Sequence, residues 1–495
     1  SYIGGYMFKY LKLSLKVSFT ALLCFLVTAC QNNTKLTASS PIEKTFDEVS
    51  VHDPAIIKSD DGEFYIFGSH LAVAKTDDLI NWEYVNQGVK NQNSVIPDVY
   101  HQMEEAFEWS HSNTFWAPDV IKLKDGSYAM YYCNCQGDAP ISCLGIARAE
   151  NVEGPYTNEK ILLKSGMDSK TPDEDNDLYQ AEYDPNAVDP VVFYDAEGKL
   201  WLIYGSYSGG IFVKQLDENT GLPLESGYGE KLLGANHLRI EAPYVIYNPD
   251  TKYYYMFLSF GGLDSDGGYN IRVCRSKKPN GPYYDSMGND MIDCKGPAGT
   301  VFSDVTAEQY GTKLMGSYKF KWVEGEQGQD RYGYLSTGHN SCIEDNGKYF
   351  IVYHTRFEGK GEEHEVRVHQ MFFNSEGWPV IAPYRYIGET IENYQDDIIY
   401  GSYKMINHGR DISPEMKLSE IINLEKNGKI SGAVNGTWER TGKNGIILTI
   451  DNKKYDGILL KQWDEDGKKE VMTFSAVCSE NGTAIWGSGL NAIEN

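Results

Sequence analysis

Apolar and polar positions along this chain fall into one pattern that returns five times. A short apolar run is followed by a turn of Asp, Gly, Asn and Lys, then by an aromatic run with period-two alternation. The copies span 53–69 (DPAIIKSDDGEFYIFGS), 117–133 (APDVIKLKDGSYAMYYC), 189–206 (DPVVFYDAEGKLWLIYGS), 242–259 (APYVIYNPDTKYYYMFLS) and 338–355 (GHNSCIEDNGKYFIVYHT). Each copy predicts a β-hairpin. Pro54, Pro118, Pro190 and Pro243 open the first four copies. They stand about 50–70 residues apart, room for about four strands each. Radially repeated four-stranded sheets make a propeller, so the pattern predicts an all-β fold with a five-bladed β-propeller over 46–390. After about residue 395 the runs shorten, predicting a small antiparallel β-barrel or sandwich as an accessory domain over 395–495, packed on the propeller, with a short helix near 414–425.

The start of the chain is of another kind. Residues 1–6 read as an upstream extension and Met7 as the natural start. Lys9, Lys12 and Lys16 precede the apolar run FTALLCFLV and then Val27-Thr28-Ala29-Cys30. That is the anatomy of a bacterial lipoprotein signal over 1–29, cleaved before Cys30. The run is shorter than the roughly 18 apolar residues of a membrane span. Residues 30–45 read as a polar tether. The expectation is an exported lipoprotein of the cell envelope, a monomer, touching membrane only through a lipid on Cys30. The formal charge of −25, about −28 without the three signal lysines, excludes nucleic acid and anionic lipid surfaces as partners. Neutral partners fit better, and 36 tyrosines and 9 tryptophans offer aromatic faces to sugars. Of nine cysteines, seven lie beyond the signal and Cys30, an odd number with no zinc spacing. A Cys135–Cys143 bridge across a hairpin is one pairing the spacing allows.

The candidate chemistry sits at the copies' beginnings. In a propeller the first strand of each blade lines the central channel, so equivalent positions converge. Those positions hold Asp53, Trp116 with Ala117, Asp189, Glu241 with Ala242, and His339. The prolines after Asp53 and Asp189 predict extended backbone at both acids. Asp184 also precedes a proline, but Asp189 leads the strand VVFY and is the stronger candidate. Two carboxylates flanking a glycosidic bond can hydrolyse it, one as acid and one activating water or attacking directly. A third would raise the acid's pKa by like-charge repulsion. Long loops at 165–188, 261–270 and 296–331 would build the rim, and His111 and His237 read as solvated loop histidines.

The ordered motifs VHDP, FWAPDV, NAVDPVVF, IEAPYV, YNIRVCRS and GHNS, with the tail 366–386, resemble glycoside hydrolase family 43, in its endo-α-1,5-L-arabinanase branch. The resemblance covers 50–390 and implies a five-bladed propeller and an inverting mechanism acting on arabinan or arabino-oligosaccharides. It implies Asp53 as general base, Glu241 as general acid and Asp189 as pKa modulator and positioner, with base and acid roughly 6.5–9.5 Å apart. It also implies Trp116 stacking beneath a sugar, and Ser206, Gly209 and Gly210 letting a sugar approach the backbone. His339 resembles the histidine that holds a hydrated divalent ion, usually calcium, although calcium prefers oxygen ligands. Three alternatives stay open: an exo-acting arabinofuranosidase, a β-xylosidase, or a non-catalytic glycan-binding lipoprotein.

Overall fold

The computed structural model describes residues 44–166 and 178–494. The signal, Cys30, nearly all of the tether and residues 167–177 of the acidic loop at 165–188 lie outside those residues. Five antiparallel sheets carry the five sequence copies, with innermost strands Ala55–Lys58, Asp119–Lys122, Val191–Tyr194, Ile240–Asn248 and Tyr334–Asp345. Four sheets have four strands in sequence order. The fifth has six, because Tyr318–Lys319 and then Lys417–Leu418 add beside Tyr334–Asp345. Each innermost strand touches its neighbours around the ring, blade five closing on blade one.

The alternation in the aromatic strands has a specific use. Tyr128–Cys135 and Phe64–Phe67 are buried at every position, so alternate residues do not divide core from solvent. They divide two cores. Tyr65 and Phe67 pack with Tyr128 and Met130 between blades one and two, whereas Phe64 and Ile66 pack with Phe350 and Val352 between blades one and five. Period two thus serves a sheet covered on both faces. Closure is also hydrogen-bonded: the Ser341 hydroxyl donates to Pro54 O at 2.6 Å and accepts from Ile56 N at 3.1 Å.

The C-terminal part is a closed eight-stranded barrel from Gly401–Asn407 to Thr483–Gly489. Its interior is filled by Tyr403, Leu448, Leu459, Phe474 and their neighbours. Its outer face puts Ile406, Leu460 and Trp486 against Tyr318 and Ile351 of the propeller. The expected helix near 414–425 is not formed; Lys417–Leu418 and Glu420–Leu424 are strands. Pairing with Gly401–Asn407 on one side and Lys429–Gly432 on the other overrides local helical periodicity. Nor does the Cys135–Cys143 bridge form, and all seven described cysteines are free and buried. Cys133 and Cys135 face one inter-blade core and Cys143 the other, with Asn134 opposite Cys143 in the register. Among the described residues, no helix is long and apolar enough to cross a membrane.

Candidate active site

Asp53, Trp116, Asp189, Ser206, Glu241 and His339 line one cavity of about 410 Å³ at the channel mouth. They come from all five blades. The backbone that delivers the two aspartates is not extended, as the following prolines suggested, but left-handed, with φ of 61° at Asp53 and 55° at Asp189. Ala242 (56°) and His339 (48°) share it. Contacts from other strands impose this turn: Asp53 N donates to His354 Nδ1 at 3.1 Å, Ala242 N to Asp189 Oδ2 at 3.1 Å, and His339 N to Ser259 Oγ at 2.7 Å. Strained φ values are tolerated where the surroundings over-determine them, and they cluster at functional sites.

Asp53 is 5% exposed and carries the densest set of donors. His339 Nδ1 lies 2.8 Å from Oδ1; His52 Nδ1 (2.8 Å) and the Ser69 hydroxyl (2.5 Å) reach Oδ2. Burial works to raise its pKa, but the charges and hydrogen bonds of His339 and His52 hold it well below the usual carboxylate range. Burial also opposes protonation of His339, yet Asp53, Asp189 and Glu241 together push it up to about 9. His354 is fully buried and held neutral by burial and by His52. The site is therefore an ionised Asp53 against an imidazolium.

Glu241 is held from two sides. The Ser206 hydroxyl donates to Oε2 at 2.6 Å, and the Tyr269 hydroxyl to Oε1 at 2.7 Å. Asp189 is buried and has no salt bridge among the described residues, and burial, reinforced by Glu241 and Asp53 against the pull of His339, raises its pKa to about 8. Asp189 itself therefore holds a proton at neutral pH. Stability follows with a definite sign. The native state keeps this proton from about pH 4 to 8 while the unfolded chain has lost it, so stability falls as pH rises through that window. Asp189→Asn is expected to raise the thermal midpoint more at pH 8 than at pH 5, measured with chelator present, while costing turnover. An equal or smaller gain at pH 8 contradicts the assignment.

Trp116 forms part of the wall, its indole N–H bonded to Cys135 O at 3.0 Å. Gly209 and Gly210 do not line the cavity. A Cβ on Gly209 would stand 2.2 Å from Tyr183 C, and one on Gly210, 2.0 Å from Leu233 O, so these glycines allow chain to pass against chain. His237 departs from expectation by lining the cavity, whereas His111 is exposed and pairs with Gln136 at 3.0 Å. His52, Ser69, Tyr269 and His354 went unnoticed in the sequence, although His52 directly precedes Asp53 and Tyr269 opens the YNIRV run. Phe302 and Leu263 add apolar wall from two loops. Asp119, the acid of the second copy, is buried, its Oδ2 accepting from Val192 N at 2.7 Å, and it serves the fold.

A five-bladed propeller whose mouth gathers carboxylates, imidazoles and an indole has the build of a glycoside hydrolase. The chain belongs to the glycosyl hydrolases family 43, whose model matches residues 42–379; residues 383–487 match a C-terminal lipocalin-like domain. The extracellular endo-alpha-(1->5)-L-arabinanase 2 of Bacillus subtilis (strain 168) is 55% identical over 454 residues, covering 91% of this chain and 94% of that protein. The extracellular endo-alpha-(1->5)-L-arabinanase of Thermotoga petrophila is 46% identical over 457 residues, covering 90% and 94%. The crystal structure of the family 43 YxiA protein from Bacillus licheniformis superposes with a TM-score of 0.87 at 53% identity, covering 90% of this chain and 99% of that one.

Proposed function

We propose that this protein hydrolyses internal α-1,5-L-arabinofuranosidic linkages of arabinan with inversion at the anomeric carbon. The observation that carries this is the arrangement of Asp53 and Glu241 in one cavity, each fixed by its own donors, in a chain matching two named endo-arabinanases over nine-tenths of its length. Asp53, kept ionised by His339 and His52, orients a water and takes its proton as the bond breaks. Glu241, aimed by Ser206 and Tyr269, protonates the departing oxygen. Asp189 fixes the turn beside Glu241 through Ala242 N. Proton NMR of the first product tests the stereochemistry: inversion gives the β-anomer before mutarotation, and an initial α-anomer overturns it.

A hydrated divalent ion, calcium by preference, fits beside His339. His354 Nδ1 is taken by Asp53 N, and the two nitrogens of His52 lie near Asp53 and Arg356. His339 uses Nδ1 toward Asp53, and its Nε2 has no partner among the described residues. One imidazole nitrogen with water oxygens would hold the ion, which would supply the positive charge that the imidazolium otherwise provides. Calcium is expected to raise the thermal midpoint of chelator-treated protein but not of His339→Gln. Equal shifts in both proteins remove His339 as a ligand.

The relatives are called extracellular, in keeping with export. The leader over 1–29, directly before Cys30, supports lipid anchoring at the cell envelope. Cys30→Ser should then release the protein from the membrane fraction, and retention there would contradict the anchor.

A further inference from the structure

Phe302 stands out among the described residues as a large apolar side chain at a catalytic cavity, 50% exposed, on backbone that an aromatic residue rarely adopts (φ 56°). A ring at such a cost has neither stayed in the core nor escaped the site. Its loop is locked from two directions. Asp304 N donates to Phe302 O at 2.8 Å, and Asp304 receives a two-pronged bond from Arg239, Nε–Oδ1 at 3.0 Å and Nη2–Oδ2 at 2.5 Å. Arg239 stands two residues before Glu241, directly ahead of the strand Ile240–Asn248 that carries the proposed acid, so the clamp sits at that strand's entry. On the other side the segment leading out of the barrel's first strand grips Glu308: Arg410 Nη2 donates to its carbonyl at 2.7 Å and Ile412 N to its Oε2 at 3.1 Å. Tyr207, also in the cavity wall, meets the Phe302 ring edge to face at 5.6 Å. Val301 and Val305, 62% and 71% exposed, flank Phe302 in the sequence.

We propose that Phe302 is a sugar-stacking platform of the cleft, held in place by Arg239–Asp304 and by the barrel segment at 410–412, and that it binds a second residue of the glycan chain beyond the one over Trp116. Trp116 comes from blade two and Phe302 from the long connection in blade four, on either side of blade three, which bears Asp189. Two aromatic walls so placed suit a neutral chain that crosses the channel mouth, its C–H faces resting on rings. The ligand class rests on the arabinan reading; the platform itself does not.

The test compares Glu241→Gln protein with and without Phe302→Ala, by calorimetric titration with linear arabino-oligosaccharides and, in parallel, xylo-oligosaccharides. The expected result is about tenfold weaker binding without the ring, the factor that half-burying a phenyl group is worth. In the active protein the same loss should appear in KM with kcat within about twofold. Phe302→Tyr, which keeps the ring, should restore it, and Asp304→Asn should weaken binding in the same direction. Loss confined to xylo-oligosaccharides, with no arabinan binding, keeps the platform and retires the substrate reading. Equal affinity of the two proteins for whichever sugar binds, or no binding by either, overturns the platform.

Discussion

Asp53→Asn is expected to lower turnover of arabinan by about 10²–10⁴-fold while leaving a folded protein, the range that positioned proton transfer contributes. The loss has two sources. The variant has no charge to accept the water's proton. Asparagine also presents an N–H₂ where the carboxylate meets three donors, His339, His52 and Ser69, so one of those contacts becomes donor against donor. His339, raised to about 9 chiefly against burial by Asp53, then loses its principal counter-charge and should titrate lower. That shift, followed by NMR of the imidazole in chelator-treated protein, reports the coupling independently of rate. A variant keeping more than a tenth of wild-type activity, or an unshifted His339, would remove Asp53 from its role.

Glu241→Gln separates the acid from the base by leaving group. On arabinan, whose departing oxygen is a poor leaving group, the loss should again be about 10²–10⁴-fold. On an arabino-oligosaccharide bearing a dinitrophenyl group, which departs without protonation, most of the rate should return. Asp53→Asn should stay inactive on both. The hydroxyls of Ser206 and Tyr269 remain beside the glutamine and can hold it in place, so the comparison isolates the proton from the geometry. Equal losses on both substrates would mean that Glu241 does not act as the acid.

The propeller was legible because its punctuation repeats: proline at the entry of the first four copies, an Asp/Gly/Asn turn in all five, and an aromatic run divided between two cores. Six of the eight residues singled out from the sequence line one cavity for the same reason, since equivalent blade positions must meet at the channel. Proline chemistry misled on the backbone of Asp53 and Asp189, because hydrogen bonds from other strands outweigh a local preference. Tyr269, His354 and Phe302 were not legible as site residues. Tyr269 lies just before a strand, His354 within one and Phe302 in a long connection, and only the closed ring brings them to Glu241, Asp53 and the cleft. Gly209 and Gly210 show the converse: a glycine pair read as room for a ligand is room for the protein's own chain.

Internal cleavage of arabinan is read from chromatography of the early products of linear debranched arabinan. Endo action gives a ladder of short arabino-oligosaccharides while most of the polymer is still uncut. Arabinose alone from the first time point, or no product at all, would contradict it.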